Sequence, residues 1–298
     1  MAKDETAATG TQLLDRAVAI LKYLGETGQG GTSMAAIGDE LELKQPTVHR
    51  IVTALERHGL VDREQETKKY RLGLALFALG AKAADGTGLA GLHIPADEPQ
   101  TRPTLILGFG GNAWNAQDVA EYLHEVFPHQ DVIAFHYRGY APSRGSPSAD
   151  ALIADAPLVY DLAVEKLRPA KIVAIGFSIG SGIAATLAGR RKLDGLILVT
   201  PFDSLRAVAQ SMYPWLPIGP FFAHEIDAAS ALAGVKVPVA IIAAERDEIV
   251  PRERTQALRS KVPNLVFDRT LPRAGHNDLY ARSDFHEAMR EAFNCLKL

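Results

Sequence analysis

Lys171-Ile172-Val173-Ala174-Ile175-Gly176-Phe177-Ser178-Ile179-Gly180-Ser181-Gly182-Ile183-Ala184-Ala185 decides how most of this chain folds. An apolar run of strand length leads into the pattern G-x-S-x-G, and a run of small residues suited to a helix follows. Strand, tight turn and helix in that order form a nucleophile elbow. The turn holds the serine in a strained backbone, and a Cβ two residues to either side would clash. Ser178 is thereby lifted to the carboxyl edge of a sheet, at a helix N-terminus whose dipole favours a developing negative charge.

A serine nucleophile needs a base and an acid, expected later in the chain in the order Asp then His. Behind the apolar run Val237–Ala244, Asp247 falls just past a strand end, and behind Leu265-Val266-Phe267 the loop Ala274-Gly275-His276-Asn277-Asp278 carries His276. In this reading Ser178 attacks, His276 takes its proton, and Asp247 fixes the imidazole tautomer and stabilises its charged form. Asp203, at the end of another strand, is the alternative acid. Two backbone donors would hold the oxyanion. One is the amide of Ile179, and the other is Asn112 or Gly111, in the loop after the strand Thr104–Phe109.

By these features, and by His136-Tyr137-Arg138-Gly139-Tyr140-Ala141-Pro142-Ser143-Arg144-Gly145 after a further strand, the chain resembles the α/β-hydrolase superfamily from about residue 88 onward. It looks closest to short-lidded esterases and serine peptidase-like hydrolases. The resemblance implies a mostly parallel sheet flanked by helices. Those relatives often have His-Gly-Asn-Ala in the oxyanion loop. Here Gly110 takes the histidine's place, which keeps the backbone donor and removes that side chain's support. An antiparallel strand pair would normally precede the strand at Thr104, but the chain has room for one strand, around Leu89–Ile94, so an N-terminal edge strand is expected to be missing. The insertion 205–235 carries Met212, Tyr213, Trp215, Leu216, Phe221 and Phe222. Trp114, Tyr213 and Trp215 are the candidates for an acyl-pocket wall; the other reading of the insertion is a helix pair simply packing on the sheet.

Residues 11–83 read as three helices, a two-stranded wing and a trailing helix. Leu13, Leu14, Ala17, Val18, Leu21 and Leu24 fall at helical spacing before the Gly25–Gly31 break. Thr32 or Ser33 caps a second helix with Ala36, Ile37 and Leu41. Pro46 suits the start of a third, which buries Val48, Ile51, Val52 and Leu55. Val61–Leu72 reads as a hairpin. Leu14-Asp15-Arg16-Ala17, Thr47-Val48-His49-Arg50 and Tyr70-Arg71-Leu72-Gly73 resemble the winged helix-turn-helix domain of IclR-type transcription regulators. That resemblance implies binding to double-stranded DNA, with Gln45, Thr47, His49 and Arg50 on the reading helix and Arg63, Lys68 and Lys69 on the wing. It also implies a linker helix around 74–80 and a homodimer through this domain. The family's inter-helix turn usually holds a small residue, often glycine; this chain has Glu42. A three-helix dimerisation or docking module is the alternative.

Composition bounds the rest. The chain has 298 residues, enough for about two domains, and we place them at 1–84 and 85–298. Net charge is −3, which excludes a global basic field, although seven basic residues face four acidic ones from Lys44 to Arg71. One cysteine, Cys295, gives no disulfide framework, as expected of a cytoplasmic protein. No signal peptide, membrane-length apolar run, zinc spacing or phosphate loop is visible, so no cofactor and no metal are expected. The expectation is a serine hydrolase acting on a small-molecule ester or acyl substrate, fused to a DNA-binding module. The alternative is a transcription regulator whose hydrolase fold senses a ligand with little or no catalysis.

Overall fold

The computed structural model describes residues 4–27, 31–57, 60–64, 67–72, 81–83, 85–98, 103–112, 114–215, 222 and 224–298. It divides into two compact units, Met1–Gly80 and Ala81–Leu298. Residues 81–84, grouped with the first domain in the sequence reading, fall in the second unit, where Ala81–Lys82 pairs with Gly88–Leu89.

The first unit holds α1 (Asp4–Glu26), α2 (Met34–Glu40), α3 (Gln45–Arg57), β1 (Val61–Arg63) and β2 (Tyr70–Leu72). Ser33 is the cap of α2, its Oγ accepting from the Ala36 amide at 3.1 Å. Thr32 instead pairs with Tyr70, extending the wing by a third short segment. Glu42 stands at φ 51°, a left-handed conformation that favours glycine and explains the small residue usual in this turn. The core comprises Ile20, Leu24, Ile37, Val48, Ile51, Val52, Leu55, Val61 and Tyr70. The inward stripe of α1 is thus Ala17, Ile20, Leu21 and Leu24, while Leu13, Leu14 and Val18 are exposed. The helix carries two apolar stripes, and spacing alone did not separate them. The linker helix expected at 74–80 lies outside the described residues.

The second unit opens with β3 (Ala81–Lys82), β4 (Gly88–Leu89) and β5 (Gly91–Ile94). There follow β6 (Thr104–Phe109), α4 (Ala116–Val126), β7 (Asp131–Phe135), α5 (Ala149–Leu167), β8 (Lys171–Phe177), α6 (Ile179–Ala188) and β9 (Gly195–Val199). The chain ends with α7 (Leu205–Met212), α8 (Ala228–Leu232), β10 (Val239–Ala244), α9 (Arg252–Arg259), β11 (Leu265–Leu271) and α10 (Ser283–Cys295). Seven strands form one sheet in the order β11-β10-β9-β8-β6-β7-β5. All neighbours are parallel except β5, which lies antiparallel on β7. Among the described residues, this sheet therefore carries a single antiparallel strand at its N-terminal edge.

β8, β9 and β10 are buried almost throughout, as central parallel strands covered on both faces must be. Alternate residues Ile106, Val173, Ile175, Ile197 and Ile242 share one core with Val119 and Leu123 of α4 and Phe285 and Met289 of α10. α6 packs on β8 and β9 and carries α5 beside it. Parallel register brings the carboxyl ends of β6, β8 and β9 level, with Phe109 opposite Gly176 and Phe177 opposite Val199.

Candidate functional site

At the end of β8 the backbone turns sharply, with Ser178 at φ 50° and ψ −118°. A non-glycine residue held there stores on the order of 1–3 kcal/mol of strain. Close packing explains both flanking glycines. A Cβ on Gly176 would stand 2.3 Å from the Gly180 carbonyl oxygen, and one on Gly180 would stand 2.1 Å from that of Phe109 and 2.5 Å from that of Gly110. The Ser178 amide donates to Val199 at 2.9 Å, tying the turn to the next strand.

Three loops converge on Ser178. Its Oγ lies 2.9 Å from His276 Nε2, and His276 Nδ1 lies 2.9 Å from both carboxylate oxygens of Asp247. The imidazole and carboxylate side chains are each 5% exposed. A carboxylate only accepts, so Nδ1 carries the proton and Nε2 presents its lone pair to the serine. Asp247 is itself held by the amides of Ile249 and Val250, at 3.0 and 2.7 Å. The histidine loop is pinned in turn: the His276 amide donates to Glu248 at 3.1 Å and the Gly275 amide to Asp278 at 2.7 Å. Asp203, the alternative acid, instead accepts from Arg254 at 3.2 Å.

A cavity of about 600 Å³ opens over the serine, lined by Gly111, Asn112, Trp114, Ser178, Ile249, His276, Asn277 and Tyr280. Trp114 packs edge-on against Phe177 at 5.0 Å and tilted against Tyr280 at 4.9 Å. Burial pushes the Tyr280 phenol up to about 12. Of the three expected pocket residues, Trp114 lines the cavity. Tyr213 and Trp215 are not in its lining, being 47% and 77% exposed and packed on each other. Ile249 and Asn277, in loops, and Tyr280, in the 3-10 turn Leu279–Ala281, were missed, because their position in the sequence says nothing about which way they face.

The loop that follows β6 runs beside the elbow. A Cβ on Gly111 would stand 3.6 Å from the Ser178 Cβ. The Gly110 carbonyl accepts from the Tyr137 hydroxyl at 2.9 Å, and the Asn112 side-chain oxygen accepts from the Tyr140 hydroxyl at 3.0 Å. Ile179 opens α6 directly after the serine. No group of three or more metal-ligating side chains is gathered among the described residues. None of their helices is long and apolar enough to cross a membrane.

On the first unit, α3 exposes Gln45, His49 and Arg50, with Thr47 half-buried. The Gln45 amide nitrogen also reaches the Met34 carbonyl, at 3.5 Å. On the wing, Lys68 and Lys69 are exposed, with Lys68 at φ 57°, while the Arg63 guanidinium lies over the Tyr70 ring at 5.4 Å.

Residues 13–65 match the family model of the IclR helix-turn-helix domain, and residues 105–232 match that of the alpha/beta hydrolase fold. Rv2307c, an uncharacterised protein of Mycobacterium tuberculosis, is 31% identical over 198 residues, covering 65% of this chain and 70% of its own. The lysophosphatidylserine lipase ABHD12 of Danio rerio is 33% identical over 173 residues, 51% of this chain and 45% of that protein. Among solved structures, the esterase Pf2001 of Pyrococcus furiosus aligns over 72% of this chain and 89% of its own, with TM-score 0.57 and 20% identity. Est1E of Butyrivibrio proteoclasticus, solved with ferulic acid, aligns over 70% and 97%, with TM-score 0.56 and 18% identity. The chain belongs to the α/β-hydrolase fold family and carries an IclR helix-turn-helix domain ahead of its hydrolase unit.

Proposed function

We propose that the second unit is a serine hydrolase of uncharged ester or acyl substrates and that the first unit binds double-stranded DNA. The observation that carries the hydrolase reading is the unbroken chain from Ser178 Oγ to His276 Nε2 and from Nδ1 to Asp247. Ser178 attacks the ester carbonyl carbon while its proton passes to His276. The amide of Ile179 and that of Gly111 or Asn112 receive the oxyanion. Collapse breaks the carbon–oxygen bond, and the alcohol leaves with the proton from His276. Water, deprotonated by the same imidazole, then attacks the acyl-enzyme and releases the acid. The cavity's described lining contains no lysine or arginine, so its chemistry suits a neutral acyl group against Trp114 and Tyr280. The esterase and lipase relatives support the same reaction class.

A fluorophosphonate probe tests this on the full chain. Labelling of wild type and not of Ser178→Ala, with a fall in ester turnover of about 10⁴ or more, is the expected result. Ester turnover unchanged by Ser178→Ala overturns it.

The second reading is a regulator in which the hydrolase fold senses a ligand; the exposed Arg50 face of α3 and the exposed Lys68 and Lys69 suit DNA binding in both readings. In both readings the exposed Leu13, Leu14 and Val18 of α1 suit a homodimer through the first unit. Ligand-dependent DNA affinity that survives Ser178→Ala would select the sensor.

A further inference from the structure

We propose that Tyr137 and Tyr140 are positioning residues that hold the oxyanion loop, supplying the support that Gly110 does not. The inference rests on the serine-hydrolase reading above. Both phenols come from the single stretch His136-Tyr137-Arg138-Gly139-Tyr140. The Tyr137 hydroxyl donates to the Gly110 carbonyl at 2.9 Å and the Tyr140 hydroxyl to the Asn112 side-chain oxygen at 3.0 Å. The two bonds bracket Gly111, whose neighbour is Ser178.

Peptide geometry makes the first bond informative. The Gly110 carbonyl and the Gly111 amide belong to one planar unit and point in opposite directions. A donor that fixes the carbonyl therefore fixes the direction of that amide and the placement of the one after it. Two glycines leave this stretch with the widest choice of backbone angles, so an external anchor has the most to restrict. On its other side the Gly110 carbonyl lies over Gly180 of the elbow, where a Cβ would come within 2.5 Å.

The anchor is itself rigid. Gly139 turns between the tyrosines at φ 80°, and a Cβ there would stand 2.5 Å from Pro147. Arg138 binds Asp155 through two hydrogen bonds of 2.6 Å and reaches Asp85 with a third of 2.6 Å. Burial pushes the Tyr137 phenol up, so it remains a donor throughout the neutral and mildly alkaline range.

The test compares Tyr137→Phe, the double variant Tyr137→Phe/Tyr140→Phe and Ser178→Ala in the full-length protein, with p-nitrophenyl butyrate as substrate and phenylboronic acid as tetrahedral mimic. Tyr160→Phe serves as control, since it removes a phenol-to-carbonyl bond, to Lys192, away from the site. Rates are divided by the active sites counted in the acyl burst, which removes any misfolded fraction. We expect Tyr137→Phe to lower kcat about tenfold, with KM within twofold, a parallel loss of boronate affinity and a larger loss in the double variant. Unchanged kcat, or a rise in KM alone, overturns the positioning role while Ser178-dependent turnover leaves the hydrolase reading intact. Wild type without Ser178-dependent turnover overturns both.

Discussion

Asp247→Asn separates the two candidate acids and tests the site's electrostatics with little change of shape. The carboxylate meets His276 Nδ1 through both oxygens at 2.9 Å, in surroundings where each side chain is 5% exposed. Oδ1 also accepts from the amides of Ile249 and Val250. An asparagine must leave its oxygen with those two donors, so its NH₂ takes the place of Oδ2, facing Nδ1. Nδ1 then stands equally close to the retained oxygen and to the new donor; the tautomer that accepts from the NH₂ puts the proton on Nε2 and removes the lone pair that Ser178 needs. The imidazolium formed during attack also loses its counter-charge. Two charges about 4 Å apart at an effective dielectric of about 20 interact by roughly 4 kcal/mol. That difference corresponds to about 10³-fold in kcat. The assay is steady-state ester turnover normalised to active sites, beside Asp203→Asn. Asp203 is engaged by Arg254, so its substitution should act on stability rather than on turnover per active site. A kcat for Asp247→Asn within tenfold of wild type would refute the reasoning, and a collapse of turnover in Asp203→Asn alone would transfer the acid's role to Asp203.

Gly180→Ala should be the most damaging single methyl in the second unit, because its Cβ meets two backbone carbonyls, at 2.1 and 2.5 Å, that cannot rotate away. A loss of about 3 kcal/mol or insoluble expression is expected; a wild-type urea midpoint would show that the elbow is not closely packed. Arg50→Ala should weaken DNA binding by roughly 1–3 kcal/mol if the residue reads a base edge, measured by fluorescence anisotropy at fixed salt, and equal affinity counts against DNA reading by α3. Asp85 is lowered from 3.8 to about 2 by the Thr87 amide and hydroxyl and by Arg138. Its stabilising contribution is therefore complete above about pH 4 and lost as pH falls toward 2, so Asp85→Asn should narrow the difference in thermal midpoint between pH 4 and pH 2; an unchanged difference refutes the linkage.

The elbow could be read from the sequence because its physics is local: a strand, two glycines two residues either side of a serine, and a helix fit within fifteen residues. Asp247 and His276 were legible for a related reason, since each lies in a short loop directly behind an apolar strand and parallel strands bring such loops to one edge. The pocket wall was less legible. Trp114, Tyr213 and Trp215 are all aromatic residues of segments expected over the site, yet only tertiary packing sends Trp114 inward against Phe177 and leaves Trp215 77% exposed. The stripe of α1 failed in the same way, because Leu13 and Ile20 are equally apolar and only the position of α3 selects between them. Glu42 shows the reverse case. Its departure from the usual small residue was visible in the sequence, but its left-handed backbone, the physical reason for that preference, was not.

The order of the described strands bears on how the site depends on the sheet's N-terminal edge. The residues that meet at Ser178 come from the carboxyl ends of β6, β8, β10 and β11, or from the loops behind them. In the strand order β11-β10-β9-β8-β6-β7-β5, any further strand at the N-terminal edge would lie beyond β5, two places from β6 and three from β8. A strand at that place would neighbour no strand that carries a site residue. Among the described residues this edge is also short: β5 has four residues, and His93 within it reaches Asp131 of β7 at 3.1 Å. A short edge strand bearing a polar cross-strand contact offers little template for pairing with another chain. The hydrogen-bond chain from Asp247 through His276 to Ser178 is built in the part of the sheet away from the β5 edge.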